Sequence, residues 1–191
     1  MPSITSVRGR ILYNSRGAKT IEVDVVSDKK FTGRACAPSG ASVGKLEAQS
    51  FPDNKPESAL SMLTTNAQKF VGLKSEDMKS VFDVLRRIDS TENYSKVGGS
   101  VAYALSIAAV DSAAKALGLP LFKLIRPDKP YRFPFPLGNI LGGGAHAGPG
   151  TPDIQEILAC PVGAKTITQA LEMNFKLHAE TRKVIESTDR K

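Results

Sequence analysis

From Thr20 to Val26 polar and apolar positions alternate, with Ile21, Val23 and Val25 on one side and Thr20, Glu22 and Asp24 on the other. A period of two is that of a strand with one buried face. The polar run Ser27-Asp28-Lys29-Lys30 supplies a turn, so Phe31–Ala37 reads as the returning strand of a hairpin and Ile4–Leu12 as an earlier strand beside it. The expected unit is an antiparallel three-stranded meander.

After Pro56 the period becomes helical. Ala59, Leu60, Leu63, Ala67 and Phe70 recur at three- and four-residue spacing behind a proline suited to a first turn. Ser75, Glu76 and Asp77 open a second helix with the apolar face Met78, Val81, Phe82, Leu85 and Ile88, its acids at the end the helix dipole favours. A third helix, from about Gly99 to Leu117, is rich in alanine and stops at Gly118, with Pro120 just beyond. Its small side chains call for close packing against a neighbour.

Arg126-Pro127-Asp128-Lys129-Pro130 has the composition of a linker and divides the chain into residues 1–126 and 133–191. In the second part Phe133–Ile140 predicts a strand, the glycine-rich stretch 142–150 a loop, and Ile154–Ala159 another strand. Thr166-Ile167-Thr168-Gln169 has the form of a capping box and starts a helix carrying Leu171, Phe175, Leu177, Val184 and Ile185 to the chain end.

Composition narrows the function classes. A chain of 191 residues with 41% hydrophobic residues can bury a sizeable core, yet it is too short for a complete (β/α)8 barrel plus another domain. The formal charge of +7 attracts anions, but aromatics are only 6% and Trp is absent, so the stacking platforms of nucleic-acid binders are missing and no nucleic acid is expected as partner. No apolar leader opens the sequence, and Asp111 and Lys115 interrupt the alanine-rich stretch; a cytoplasmic chain without a membrane partner is expected. Cys36 and Cys160 are far apart and read as buried, reduced thiols rather than a zinc or redox pair.

Two loops carry candidate chemistry. Pro38-Ser39-Gly40-Ala41-Ser42-Val43-Gly44-Lys45 ends like a phosphate loop, but Ser39 stands where that motif needs Gly and Leu46 where it needs Ser or Thr. It remains open as an ordinary surface loop or as a loop whose hydroxyls ligate a hard cation or an anion. Gly142-Gly143-Gly144-Ala145-His146-Ala147 has the form G-x-G-x-x-A, yet Pro149 and Pro152 prevent the helix that should receive a pyrophosphate. It reads as a long loop above a strand end, with His146 either turned toward a cavity or left at the surface.

Alternation on the strand that follows puts Asp153 and Gln155 on one face and Glu156 on the other. A carboxylate between Ile154 and Leu158 is costly to bury unless a cation or a function compensates. His178 reads as a helix-face residue.

Four stretches together resemble the enolase (phosphopyruvate hydratase) family: Asn14-Ser15-Arg16-Gly17 with Thr20-Ile21-Glu22-Val23, Pro38-Ser39-Gly40-Ala41-Ser42, Asn139-Ile140-Leu141-Gly142-Gly143-Gly144-Ala145-His146-Ala147, and Gln155-Glu156 followed by Pro161-Val162-Gly163-Ala164. Their order and spacing agree with the family along the whole chain. The resemblance implies an α+β N-terminal domain, then the beginning of an α/β, TIM-like barrel, with catalysis where the two meet. It implies reversible dehydration of 2-phosphoglycerate to phosphoenolpyruvate in glycolysis and gluconeogenesis, with two Mg2+ ions neutralising the charge formed when a proton beside a carboxylate is removed.

Carried over by motif, Ser39, Gly40, Ala41 and Ser42 form a mobile loop in which Ser42 ligates a Mg2+ ion. His146 contacts the substrate near its phosphate and hydroxyl, and Gln155 and Glu156 bind it on the leaving-hydroxyl side. Arg10 and Glu22 resemble the family's subunit-interface charges, which implies a homodimer. Departures are Asn14 for the family's usual Asp, Gly142 for its usual Asn, and Pro149 and Pro152 after His146.

The proton-donating Glu, the carboxylates for the first Mg2+ and the Lys base belong to later barrel strands in the family. The chain alone is therefore expected to be inactive, with an open parallel edge and unburied apolar faces in its barrel portion. Its end inside a helix favours a truncated lyase over a shortened, non-catalytic relative that acts by binding; mandelate- and muconate-type lyases are a more distant alternative, since their loops differ from the two here.

Overall fold

The computed structural model describes residues 1–40, 44–128, 130–144 and 147–188. The chain forms two compact units, Met1–Lys129 and Pro130–Lys191.

In the first unit, β1 (Ile4–Tyr13), β2 (Lys19–Ser27) and β3 (Phe31–Cys36) form an antiparallel sheet in that order. Gly9, Val23 and Ala35 lie opposite one another across it, as do Val7, Val25 and Gly33. This face carries the core, with Ile21, Val23 and Val25 wholly buried. It is covered by α1 (Pro56–Asn66), which continues as a 3-10 turn (Ala67–Phe70), and by α3 (Gly99–Leu117). Between them in sequence lies α2 (Met78–Asp89), capped by the Asp77 carboxylate on the Ser80 N–H at 3.2 Å. A short α4 (Leu121–Ile125) follows α3.

The alanine-rich helix packs as its composition requires. A Cβ on Gly33 would lie 1.9 Å from the Ala108 carbonyl oxygen, so only glycine lets α3 rest on β3. The hydroxyls of Ser27 and Ser112, both buried, meet at 2.7 Å and join the end of β2 to the same helix. Among the described residues α3 alone is long and apolar enough to cross a membrane, but 67% of that stretch is buried inside the unit.

Three expectations need correction, the last of them reaching into the second unit. The outward face of β2 is not solvated: Thr20 and Glu22 are 4% and 7% exposed, because Thr20 bonds the Ala37 carbonyl at 2.9 Å and Glu22 lies under arginines. Phe82 is 41% exposed and Val84 takes its place in the core, since α2 meets its neighbours along the Val81–Val84–Leu85 line. Cys36 and Cys160 are exposed rather than buried, Cys36 because it points to the outer face of an edge strand.

In the second unit β4 spans Gly138–Gly142 and β5 spans Glu156–Ala159. The expected strand from Phe133 starts five residues late because Pro134 and Pro136 lack the N–H a ladder needs. The second strand begins at Glu156 rather than Ile154, so Asp153 and Gln155 precede it and the predicted alternation of faces does not apply to them. The two strands pair antiparallel, Gly138 with Ala159 and Gly142 with Glu156, which corrects the expectation of a parallel edge.

The helix α5 (Ile167–Thr188) packs on β4. Asn174, 8% exposed, donates to the Pro136 carbonyl at 3.1 Å, and a Cβ on Gly138 would lie 2.8 Å from its Cγ. Thr166 accepts from the Gln169 N–H at 3.1 Å, and the Gln169 side chain accepts in return from Lys165 at 2.7 Å. The pair of short strands covers little of the helix, so Phe175 and Val184 stay 72% and 63% exposed.

Candidate active site

The residues singled out by motif fall into two groups, one in each unit. In the first unit the β1–β2 turn is held by Asn14, whose side-chain oxygen accepts the N–H groups of Arg16 at 2.9 Å and Ala18 at 3.0 Å. Gly17 supplies the positive φ of +72° that the turn needs. Arg16 then reaches across to the stretch after β3 and donates through Nη2 to the carbonyls of Ser39 at 2.7 Å and Gly40 at 3.3 Å. Ser39 and Gly40 are exposed; Ala41 and Ser42 lie outside the described residues.

Both ends of this loop are tied to the core. Ala37 donates to the Ile21 carbonyl at 3.0 Å. Further on, Gln49 donates to Asn93 at 2.8 Å and accepts from Gly99 at 2.7 Å, at the start of α3.

Arg10 and Glu22 face each other in the β1–β2 register and form an ion pair within this chain. Around them the outer face of the sheet carries a charged ladder. Arg34 grips Asp24 through two bonds of 2.6 and 3.0 Å, and Arg10 adds a third at 3.2 Å. The Arg34 hydrogen bonds hold the Asp24 carboxyl below its ordinary range against partial burial, with the charge of Arg10 adding to the effect. Cys36 donates to Glu22 at 3.0 Å, and burial together with that carboxylate pushes its thiol up to about 11.

In the second unit the glycine-rich stretch is stitched to the residues before β5. Gly143 donates to the Gln155 carbonyl at 2.8 Å and Gly144 to the Pro152 carbonyl at 2.7 Å. A Cβ on Gly143 would lie 2.4 Å from the Ile154 oxygen and 2.6 Å from the Pro152 oxygen, so the clasp demands glycine there. Gly144 has a φ of +63°. Thr151 closes the far side by donating to the Gly148 carbonyl at 2.7 Å. Pro149 and Pro152 thus sit in a folded loop, and Pro152 contributes the acceptor that a proline retains.

The clasp brings Gln155 and Glu156 to the same sheet end as residues 142–144, where the chain enters the His146 segment. His146 itself lies outside the described residues. Glu156 is exposed, so the desolvation expected from its apolar neighbours does not arise: the strand begins at Glu156 and its flanking isoleucines are open to solvent too. An accessible carboxylate beside an amide can bind a polar substrate and exchange a proton with it.

Two partners escaped the sequence reading. Arg16 was legible only as part of a motif, because nothing local shows that a turn residue reaches a loop more than twenty positions away. Arg34 with Asp24 could have been found, since once the hairpin register is drawn the two fall directly opposite with opposite charge.

An α+β unit is thus followed by a second unit made of an antiparallel strand pair and a packed helix. Residues 4–125 match the family described as "Enolase, N-terminal domain", and residues 130–190 match "Enolase, C-terminal TIM barrel domain". The enolase of Methanosphaera stadtmanae is 42% identical over 98% of this chain and 45% of its own length. Those of Methanothermobacter thermautotrophicus and Archaeoglobus fulgidus are 40% and 38% identical over 97% and 95% of this chain, and 45% and 44% of their own lengths. The chain belongs to the enolase family and spans about half the length of the curated relatives it matches.

Proposed function

We propose that this chain is part of an enolase, a phosphopyruvate hydratase that reversibly dehydrates 2-phospho-D-glycerate to phosphoenolpyruvate in glycolysis and gluconeogenesis. The observation that supports it most is the family match in both units, coupled to the clasp that sets Gln155 and Glu156 beside the glycine-rich stretch. In this reading His146 meets the substrate near its phosphate and hydroxyl, and Gln155 and the accessible Glu156 bind it and help on the leaving-hydroxyl side.

Among the described residues no three His, Cys, Asp or Glu side chains converge, so these residues do not by themselves fit a Mg2+ cage, which takes about six oxygen ligands. Mg2+ is proposed for the longer protein, with Ser42 as the ligand carried here. The domains are read as 1–126 and 133–191, in a cytoplasmic homodimer. Arg10, although paired to Glu22 within the chain, keeps 46% of its side chain exposed and can still meet a second subunit.

The test is a dehydration assay with 2-phosphoglycerate and Mg2+ on a protein extended to the length of its relatives. Turnover is expected there and none from residues 1–191; an inactive extended protein would overturn the reading. Glu156→Ala or His146→Ala is expected to lower kcat about a hundredfold or more, and unchanged turnover in either would remove that residue from the site.

A further inference from the structure

We propose that Arg16 is a positioning residue: its guanidinium holds the carbonyls of Ser39 and Gly40 and so sets the path of the loop that leads to Ser42. The effect on turnover rests on the proposed enolase function, while the effect on the loop stands without it.

The geometry points to a grip on two successive peptide units. An Nη2 group has two N–H bonds to donate, and here the nitrogen lies 2.7 Å from the Ser39 oxygen and 3.3 Å from the Gly40 oxygen. In an extended strand successive carbonyls point to opposite sides, so one nitrogen cannot take both. Holding both fits the end of β3 at Cys36, after which residues 37–40 belong to no strand. A charged donor makes such bonds stronger than neutral ones.

Arg16 is itself aimed. Asn14 accepts from the N–H of Arg16 and of Ala18, and Gly17 donates to the Asn14 carbonyl at 3.0 Å, which leaves the Arg16 side chain at the tip of a closed turn. Among the described residues no carboxylate forms an ion pair with Arg16. A neutral Asn14 suits this arrangement: it builds the turn as an Asp would, without a charge to draw the guanidinium back from the carbonyls. The other end of the same loop is fixed through Gln49, so Arg16 is the tie on the side nearer Ser42.

The experiment is hydrogen exchange read by peptide on this chain and its Arg16→Ala and Arg16→Lys variants. Arg16→Ala is expected to speed exchange in residues 38–47 about tenfold while residues 19–27 of β2 keep their protection; Arg16→Lys, which retains a charged donor, falls between. Unchanged exchange in 38–47 overturns the proposal. An equal rise in 38–47 and 19–27 overturns it too, because Arg16 would then serve only general stability. In the extended protein Arg16→Ala should lower kcat/KM about tenfold, with partial recovery in Arg16→Lys. Absence of turnover in the unaltered extended protein would count against the enolase reading alone, leaving exchange to decide the role of Arg16.

Discussion

Asp89 and Val97, eight positions apart, are joined by a 2.7 Å hydrogen bond from the Val97 N–H to the Asp89 carboxylate. The same carboxylate, wholly buried, accepts the N–H groups of Thr91 at 3.0 Å and Lys96 at 3.1 Å and the Thr91 hydroxyl. It thereby closes the loop between α2 and α3, to which Gln49 is tied in turn. Asp89→Ala would strand these donors in the interior and is expected to cost about 3 kcal/mol. Urea unfolding followed by circular dichroism should show the shift, with exposed Glu92→Ala within about 0.5 kcal/mol of the parent as reference.

Acid should weaken the first unit by a predictable route. Burial pushes the Asp89 carboxyl upward, but the Thr91 hydroxyl and the backbone N–H groups outweigh it and leave it below its ordinary range. Asp24 is lowered as well, chiefly by Arg34. A carboxyl lowered in the folded state stabilises the fold above its unfolded pKa, near 4, and loses that contribution as pH falls through the folded value. Stability should therefore decline below about pH 4, and Asp89→Asn should flatten the slope. Equal slopes for parent and variant would refute this account.

Gly33→Ala should be far more damaging than Gly9→Ala. The new Cβ at position 33 meets backbone atoms of α3 at 1.9 and 2.3 Å, whereas at position 9 it meets the side-chain tips of Leu63 and Leu60 at 2.8 and 2.9 Å. Side-chain tips can rotate aside and a helix backbone cannot without moving as a body. The expected costs are about 3 kcal/mol or more for Gly33 and about 1 for Gly9, read from paired denaturation midpoints.

Gly143→Ala should open the clasp between residues 143–144 and 152–155, because its Cβ has no space before two carbonyl oxygens. In the extended protein turnover is expected to fall at least about tenfold while the melting of residues 1–129 is unaltered. Full activity in this variant would show that the clasp is dispensable.

Cys36 should react slowly for an exposed thiol. With its pKa pushed up to about 11, its thiolate fraction near pH 8 is about a hundredfold below that of an ordinary cysteine. Iodoacetamide labelling timed by mass spectrometry should show that lag, and Glu22→Gln should shorten it. Labelling of Cys36 at the rate of free cysteine would contradict the environment described.

The pattern of the chain carried the first unit well, because β1–β3 and α3 obey periods that burial enforces: Ile21, Val23 and Val25 are indeed the wholly buried side of β2. Where it misled, a non-local fact decided. The burial of Glu22 depends on two arginines from neighbouring strands, and the exposure of Phe82 on which line of α2 meets the core. The late start of β4 was written in Pro134 and Pro136 but outweighed by the apolar Phe133, Phe135 and Leu137 around them. For the candidate site, residues 155 and 156 were legible by motif, whereas the clasp that sets them was not, since it joins backbone groups that carry no residue signature.

The antiparallel pairing of β4 and β5 bears on the order in which the second unit is made. Strands that follow each other in the chain and run in opposite directions need no crossover, and the loop between them closes at an entropic cost that grows slowly with its length. As the chain leaves the ribosome, β4 and β5 can meet once Ala159 has emerged, before the whole of α5 has followed it out. An isolated pair is only marginally stable, so the arrival of Asn174 under Pro136 is what makes the encounter lasting. The corner holding Gln155 and Glu156 is thus assembled early and from local contacts, ahead of any barrel strand that would need a helix to bring it alongside.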